Sequence, residues 1–324
     1  MKQRYNNYDL LRCLCIVGVF WQHSYYTANE GIPYKIAISI ARTAVPLFIM
    51  MSGALVLKEK PVAWKEWLKK ILTKIVIPWT LGIILYVALN FCFQIFYYIK
   101  DGVSINWLED IENLYESCVP VRGGHLWYMY TFCILYLLTP LLKYIRNRLY
   151  SLYVIIGVLF YFVAVIDLFN VTPHFKFINY IGFFIIGDII FSYKEFCKKL
   201  FYVNLAGGGA LVLSINNFEE NLVDMRFVMA VWVFLIFTCI DIKFSLYPVS
   251  KYILCVYIIH VAIGEIISGI LNVLIQQYYL ENPLIDTLIR IGGTFGVSYL
   301  LMYAKEKMSK ISTHYFIVHS HKML

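Results

Sequence analysis

Charged residues are scarce in this sequence. They make up 15% of the 324 residues, whereas hydrophobic residues make up 60%, a balance far from that of an average soluble domain. A cysteine pair of the CxxC type is also missing, and six of the eight cysteines lie within apolar runs. We interpret these cysteines as small buried hydrophobic residues and not as disulfides or a metal site. The composition predicts a membrane protein without a metal.

Signals of several other protein classes are absent as well. The sequence has no internal repeat of the kind that marks many secondary transporters, no low-complexity segment and no soluble catalytic domain. The first apolar run lacks a small-residue cleavage site, so we expect a retained anchor and not a signal peptide. The formal charge of +8 comes from short loops between apolar runs, where membrane topology explains it better than nucleic-acid binding.

What the sequence does contain is a series of apolar runs, each near the roughly 20 residues that a helix needs to cross a bilayer. Sheets with open edges are excluded at membrane depth because lipid cannot satisfy their backbone groups. We therefore predict an all-α, polytopic membrane bundle with about ten transmembrane helices. A single membrane-embedded domain would cover 1–324, with a basic cytoplasmic tail over 305–324. The predicted spans are 8–27, 36–57, 75–98, 125–142, 149–169, 175–193, 200–215, 225–240, 249–271 and 284–303.

The distribution of lysine and arginine predicts the orientation. If the N-terminus is cytoplasmic, twenty of the 28 basic residues fall on the inner side and four on the outer side. The positive-inside rule then places both termini in the cytoplasm of a multi-pass protein of the inner cell membrane. In the inner loop KEKPVAWKEWLKKILTK, residues 58–74, tryptophans alternate with lysines at helical spacing, which is typical of an interfacial amphipathic helix. This loop could rest on anionic lipid or attract an anionic cytosolic ligand.

The stretch RCLCIVGVFWQH places Arg12 and His23 within the first predicted span. Eleven residues at 100° per residue bring both side chains to one helix face, roughly 16 Å apart along the axis. Arg12 would lie near the cytoplasmic surface and His23 in the outer half of the bilayer. For Arg12 the alternative is snorkelling to lipid head groups, and for His23 it is a structural, hydrogen-bonded histidine.

Further ionisable residues fall within the predicted spans, where they are costly and usually face the bundle interior. Arg42 would lie at a depth close to that of His23, and His260 near mid-membrane. Glu265 lies above His260, while Asp286 and Arg290 are spaced as a possible i, i+4 ion pair. These last three could equally be structural ion pairs or site residues.

Other features are less informative. The run Gly207-Gly208-Gly209 lacks the residues of a phosphate loop, so it indicates close helix packing. The histidines at 314, 319 and 321 are irregularly spaced in the basic tail, and we expect them to be solvated. Asp188 should face a partner near the inner surface.

Several segments, taken together in order and spacing, resemble the acyltransferase-3 family of integral membrane acyltransferases. They are YDLLRCLCIVGVFWQH with its Arg-x10-His pair, ARTAVPLFIMMSGALVL, KKILTKIVIPW, GGHLWYMYTFCILYLLTPLL, FFIIGDII and VYIIH. The resemblance implies ten or so spans and transfer of an acyl group, usually acetyl from acetyl-CoA, to a hydroxyl of an envelope glycan. The Arg-x10-His pair of the family matches Arg12 and His23, and the arginine before VPLF matches Arg42. The Phe-Ile-Met of this chain departs slightly from the usual Phe-Phe-Met.

Joined to the charge pattern, the resemblance predicts a route between a cytosolic acyl-CoA donor and an external glycan or lipid-linked sugar acceptor. Arg12, helped by Lys70 and Lys74, would hold the CoA phosphates. His23 would act as general base, or form an acyl-histidine, and Arg42 would stabilise the oxyanion. Supporting or acceptor-binding roles fall to His125, Trp127, His260, Glu265 and Arg290. No bound cofactor is expected.

The alternative is a transporter or flippase for a small solute or glycolipid, in which these residues line a solute path.

Overall fold

The computed structural model describes residues 5–24, 40–60, 62–102, 126–166, 177–214, 225–275 and 283–320, and every regular element within these ranges is a helix. The predicted all-α class is therefore confirmed. A π-helical segment, Leu72–Val76, joins the third and fourth helices without a break. In chain order the helices are α1 (Asn6–Ser24), α2 (Ala44–Val56), α3 (Trp64–Ile71), α4 (Ile77–Asp101), α5 (Trp127–Arg148), α6 (Tyr150–Val165), α7 (Ile178–Ser192), α8 (Lys194–Lys199), α9 (Phe201–Ser214), α10 (Met225–Cys239), α11 (Tyr247–Ser250), α12 (Ile253–Ile275) and α13 (Pro283–Ser320).

Each of the predicted spans coincides with a helix, although some boundaries differ. The span predicted for 75–98 belongs to helical structure that begins at Trp64. The last helix continues to Ser320 because no proline or glycine follows Gly296 in it, so residues 305–320 of the predicted tail are helical. Within the described ranges, two helices are long and apolar enough to cross a membrane, Trp64–Phe96 and Trp127–Arg148. The number of crossings stays a prediction.

Helices α2 and α7 are in close contact. A Cβ atom built on Gly53 would lie 1.8 Å from the carbonyl oxygen of Phe184, and one built on Gly187 would lie 2.2 Å from the carbonyl oxygen of Met50. Real side chains cannot approach backbone atoms so closely. The two glycines therefore let these helices touch backbone to backbone, which is the way that small residues stabilise helix pairs in membranes.

Two of the three consecutive glycines in α9 differ in how closely other residues pack against them. Gly208 lies against the indole of Trp232 so closely that no methyl group would fit, and the indole Nε1 donates to the carbonyl oxygen of Asn204 at 2.6 Å. Gly207 has no neighbouring atom within 4 Å of the position of a Cβ. The predicted close packing is thus confirmed at Gly208 and is absent at Gly207.

Polar and basic residues from many helix ends meet at one end of the bundle. Asn6 at the start of α1 donates to the carbonyl oxygen of Ile242 at 3.1 Å, Lys198 pairs with Asp241 at 2.9 Å, and Lys251 pairs with Glu306. We call this region the basic end; it comprises residues 5–9, 58–60, 62–74, 143–149, 192–199, 240–252 and 304–307. The helix ends that the sequence assigned to one side of the membrane are therefore together in space.

A buried carboxylate stabilises the basic end. Asp188 is fully buried, and its Oδ2 accepts hydrogen bonds from Arg146 Nε at 2.5 Å and from the Tyr153 hydroxyl at 3.0 Å. The sequence predicted a partner for Asp188, and the structure shows two, the guanidinium of Arg146 and the hydroxyl of Tyr153. Burial lowers the pKa of the nearby Lys58 ammonium, and the Asp188 charge opposes that shift. The ammonium of Lys58 also lies 4.1 Å from the centre of the Phe191 ring.

The outer surface of the bundle is strongly apolar. On α4 the side chains of Leu81 and Ile84 are more than half exposed, and on α6 the same holds for Ile155, Leu159 and Phe162. Soluble monomers rarely expose apolar patches of this extent. These helix faces are suited to contact with lipid tails.

Candidate functional site

Helix α1 holds both residues of the Arg-x10-His pair. It is continuous from Asn6 to Ser24, so Arg12 and His23 are separated by eleven residues of unbroken helix, roughly 16 Å along the axis. The start of α1 belongs to the basic end, because Asn6 Nδ2 donates to the carbonyl oxygen of Ile242 at 3.1 Å. His23, in the last turn, lies at the opposite end of the helix.

A second imidazole lies beside His23. The ring centres of His23 and His260 are 5.1 Å apart, and Phe20, one turn earlier on α1, stacks on His260 with ring centres at 5.0 Å. His260 is buried, at 3% exposure, whereas His23 is exposed. Helix α12 thus supplies a buried histidine that contacts the accessible histidine of α1.

The hydrogen bond of His260 determines its tautomer. Its Nδ1 lies 2.5 Å from the carbonyl oxygen of Tyr257, one turn earlier on α12. A carbonyl oxygen can only accept, so Nδ1 carries the hydrogen, and a neutral His260 has its lone pair on Nε2. The backbone of α12 therefore fixes the orientation of the ring.

Arg12 is held by a carboxylate. Its Nη1 donates to Asp9 Oδ1 at 3.0 Å, and the same oxygen accepts from Ser250 Oγ at 2.8 Å. Asp9 is 1% exposed. The guanidinium has five N–H donors, so this pairing orients Arg12 without using all of them. The charge of Arg12 is thus paired within its own helix, while its side chain stays 30% exposed.

Aromatic side chains of α5 and α12 pack in the bundle between the basic end and the two histidines. The rings of Tyr136, Phe132 and Tyr128 on α5 follow one another with centres 4.5 and 5.4 Å apart. The Tyr128 ring lies 5.2 Å from that of Tyr257, and the Tyr257 ring lies 5.6 Å from that of His260. We call Arg12, Tyr128, Tyr257, His260 and His23 the polar track. It passes through the interior of the bundle along α1, α5 and α12.

The segment that carries Arg42 reaches the level of His23, as the sequence predicted. Gln22 Nε2 donates to the carbonyl oxygen of Ala41 at 2.7 Å. Because Gln22 precedes His23 and Ala41 precedes Arg42, this bond joins the two segments. Gly18 permits this approach, since a Cβ built there would lie 3.3 Å from the backbone of Ala41. Arg42 itself is exposed.

The remaining predicted residues lie in several places. Lys70 pairs with Glu59 at 2.5 Å and Lys74 is exposed in the π-helical segment, both at the basic end. Trp127 begins α5, with its ring 5.5 Å from that of Tyr180. His125 lies outside the described residues. The backbones of Glu265, Asp286 and Arg290 belong to α12 and α13, and the roles predicted for their side chains stay predictions.

Three residues of this arrangement escaped the sequence analysis. Asp9 could have been found from its i, i+3 spacing to Arg12, which favours a helical ion pair. Tyr128 and Tyr257 carry no such signal, because tyrosines at helical spacing are indistinguishable from core aromatics in a chain with 27 tyrosines.

Comparison with known families decides among the remaining alternatives. A family model described as an acyltransferase domain matches residues 5–303, which include the whole polar track. The chain belongs to the acyltransferase-3 family. No curated protein and no solved structure gives a match. As a member of a membrane family of acyltransferases, the chain is an acyltransferase, and the transporter alternative loses its support.

Proposed function

We propose that this acyltransferase moves an acyl group, acetyl in the simplest case, from cytosolic acyl-CoA to a hydroxyl of an envelope polysaccharide or glycolipid. The donor is polyanionic and reaches the enzyme at the basic end. The acceptor meets His23 from the other side of the membrane. About ten transmembrane helices enclose the route between them.

The polar track is the observation that carries this proposal. A transferase whose substrates bind on opposite sides of a membrane needs polar groups along the path of the thioester. Ionisable residues at membrane depth usually belong to such functional paths. Arg12 lies at the start of the track and His23 at its end. The roughly 16 Å between them is comparable to the reach of an extended pantetheine arm.

The chemistry follows from the residue types. His23 removes the proton from the acceptor hydroxyl while the hydroxyl oxygen attacks the carbonyl carbon of the thioester. Arg42 stabilises the negative charge on the carbonyl oxygen of the tetrahedral intermediate. Collapse of the intermediate breaks the carbon–sulfur bond, and the departing thiolate of CoA takes up a proton. An attack by His23 itself, giving an acyl-histidine, is the alternative first step.

His260 and Arg12 support this reaction from either side. The neutral imidazole of His260, with its lone pair on Nε2, lies in ring contact with His23 and is suited to accept or relay the proton. Arg12, oriented by Asp9, retains donors for the CoA phosphates. Lys70 and Lys74 add positive charge near the entry, and Trp127 is placed to stack on a sugar at the outer rim.

The proposal is tested by the O-acyl content of envelope glycans, measured by mass spectrometry. Cells that lack the gene are complemented with the wild-type protein, with His23→Ala, or with the control Leu14→Ala. Leu14 lies on the same helix and its side chain is 49% exposed, away from the core. We expect O-acylation with the wild-type protein and the control, and none with His23→Ala. Unchanged glycans in all strains would overturn the glycan assignment.

A further inference from the structure

A cavity of about 270 Å³ lies at the basic end, outside the polar track. It is an open cavity that lies between the amphipathic helix α3 on one side and the last three turns of α5 on the other. Its lining includes Trp67, Pro140, Lys143, Tyr144, Asn147 and Arg148. The proposed transfer reaction makes no use of it.

One side of this cavity is shaped by Pro140, which removes a backbone hydrogen bond from α5. Pro140 lies inside α5 and has no N–H, so the carbonyl oxygen of Tyr136, four residues earlier, loses its helical donor. The indole Nε1 of Trp67 donates to this oxygen at 2.9 Å. The bond fixes α3 against α5 and holds open the space between Trp67 and the end of α5.

The cavity is positively charged. Lys143 Nζ donates to the carbonyl oxygen of Glu59 at 3.1 Å and lies 5.2 Å from the centre of the Trp67 ring, so its ammonium is held in place at the wall. Arg148 is exposed at the last position of α5. The carbonyl end of α5 contributes about half a negative charge, and the nearby carboxylate of Glu59 is paired with Lys70 at 2.5 Å. The charges of Lys143 and Arg148 therefore outweigh the negative charge at the cavity. A phosphate group is therefore favoured here.

The surroundings of the cavity are apolar and exposed. Leu141 and Tyr144, on the adjacent face of α5, are 56% and 63% exposed, and Val62 at the rim is 50% exposed. A ligand in this position would have its charged group against Lys143 and Arg148 and its apolar part along the outer surface of α5. A soluble phosphate compound has no apolar part to fill that face, whereas a phospholipid has one.

We propose that this cavity binds the phosphate of an anionic phospholipid, whose acyl chains lie along α5. Basic pockets between helices on the cytoplasmic side are the usual sites for such head groups. The lipid would bridge α3 and α5 and hold the amphipathic helix at the interface. This assignment does not depend on the acyl acceptor or donor.

The test measures lipid selectivity in the purified full-length protein. The protein in mild detergent receives equal amounts of phosphatidylglycerol and phosphatidylcholine with identical chains, and native mass spectrometry counts the lipids that stay bound. We expect wild-type protein to retain phosphatidylglycerol preferentially. Lys143→Gln and Arg148→Gln should each reduce that preference by about fivefold, the usual effect of one basic residue on anionic lipid.

Two lysines at the basic end, outside the cavity lining, supply the matched control. The double variant Lys199→Gln/Lys243→Gln removes two charges from exposed positions, twice as many as either cavity variant, and should keep the wild-type preference. If Lys143→Gln fails to fold because it loses the bond to Glu59, the exposed Arg148→Glu still tests the site and should abolish the preference.

Three results would overturn the assignment. One is equal selectivity in the wild-type protein and in monodisperse cavity variants. Another is an equal loss of selectivity in the control. The third is release of the bound phosphatidylglycerol by millimolar coenzyme A or inorganic phosphate, which would give the phosphate site to a soluble ligand.

Discussion

At the scale of single residues, the buried carboxylates of Asp9 and Asp188 each accept hydrogen bonds from neighbouring helices. Asp9 of α1 binds Arg12 of its own helix and Ser250 of α11. Asp188 of α7 binds groups of α5 and α6. A buried carboxylate without such partners would cost several kcal/mol. These contacts therefore help to specify which helix ends meet, in addition to any part that they have in the reaction.

The pairing of Arg12 with Asp9 complicates the obvious test of donor binding. Arg12→Ala leaves a buried carboxylate without its cation, and we expect it to destabilise the protein by about 3 kcal/mol. Asp9→Asn in the same chain removes that charge, keeps an acceptor for Ser250, and should restore most of the melting temperature in detergent. The apparent KM for acetyl-CoA should stay raised in the double variant.

If the double variant uses the donor as well as the wild-type enzyme does, Arg12 acts through stability alone. Arg12→Lys provides a second comparison, because lysine keeps the charge and loses the planar fork. It should bind the donor better than alanine and less well than arginine.

The contact of the two imidazoles gives a prediction about coupling. His23→Ala and His260→Ala should each lower the transfer rate by roughly 100-fold or more, the range for a general acid or base. In the proposed mechanism both rings act on one proton, so the double variant should be about as slow as the slower single variant. Rates are measured as acyl-CoA-dependent product formation by well-expressed protein. Effects that multiply in the double variant would assign the histidines to independent roles.

At this scale the sequence identified individual residues better than their partners. Arg12, His23 and His260 were marked by the cost of an ionisable group in an apolar span. The contact between His23 and His260 depends on which helices are neighbours, and helical periodicity within one span carries no information on that. Asp188 was noticed for the same reason as the others, while its partners Arg146 and Tyr153 come from separate helices.

At the scale of secondary structure, α3 is attached to the bundle by one unusual hydrogen bond. Trp67→Phe removes the indole donor from the carbonyl oxygen of Tyr136, at a cost of about 1 kcal/mol or more. Pro140→Ala returns the helical N–H donor to that oxygen. We therefore expect Trp67→Phe to lower the melting temperature clearly in the wild-type chain and less in the Pro140→Ala chain. Trp64→Phe, at a residue 53% exposed, is the control.

The glycines of α2 and α7 support a second prediction about elements. Gly187→Ala places a methyl group against the backbone of Met50, where neither helix can yield without separation, and should destabilise the protein by about 1–3 kcal/mol. Gly207→Ala adds the same methyl group to an open position in α9 and should stabilise by about 0.5–1 kcal/mol. Thermal unfolding in detergent measures both. An equal effect of the two substitutions would refute the packing argument.

The sequence predicted the existence of the helices far better than their limits. Apolar windows follow the thickness of a bilayer, so they locate a helix and miss the parts that extend beyond lipid. Helix α3 and residues 305–320 of α13 lie beyond the apolar windows, and neither segment contains a proline or glycine. The spacing of tryptophan and lysine over 58–74 indicated α3, whereas no such spacing indicated the length of α13. The π-helical segment Leu72–Val76 has no signal in composition.

At the scale of the whole molecule, the bundle has two chemically different ends. Lysine, arginine and their carboxylate partners collect at the basic end, while His23, Gln22 and the segment of Arg42 meet toward the other. The apolar surface of α4 and α6 lies between them. This polarity accords with a donor that carries phosphates and an acceptor that carries hydroxyls, approaching from opposite sides.

The sidedness of the reaction follows from that polarity. His23 lies fourteen residues beyond Asp9 on one continuous helix, roughly 21 Å farther from the basic end. The positive-inside rule predicts that the basic end lies in the cytoplasm. In proteoliposomes of known orientation, product should form only when acyl-CoA is on the face of the basic end and glycan is on the opposite face. The His23→Ala protein in the same vesicles gives the background. Efficient transfer with both substrates confined to the basic face would refute the transmembrane route, because a glycan there cannot reach His23, and it would move the acceptor site to the level of Arg12.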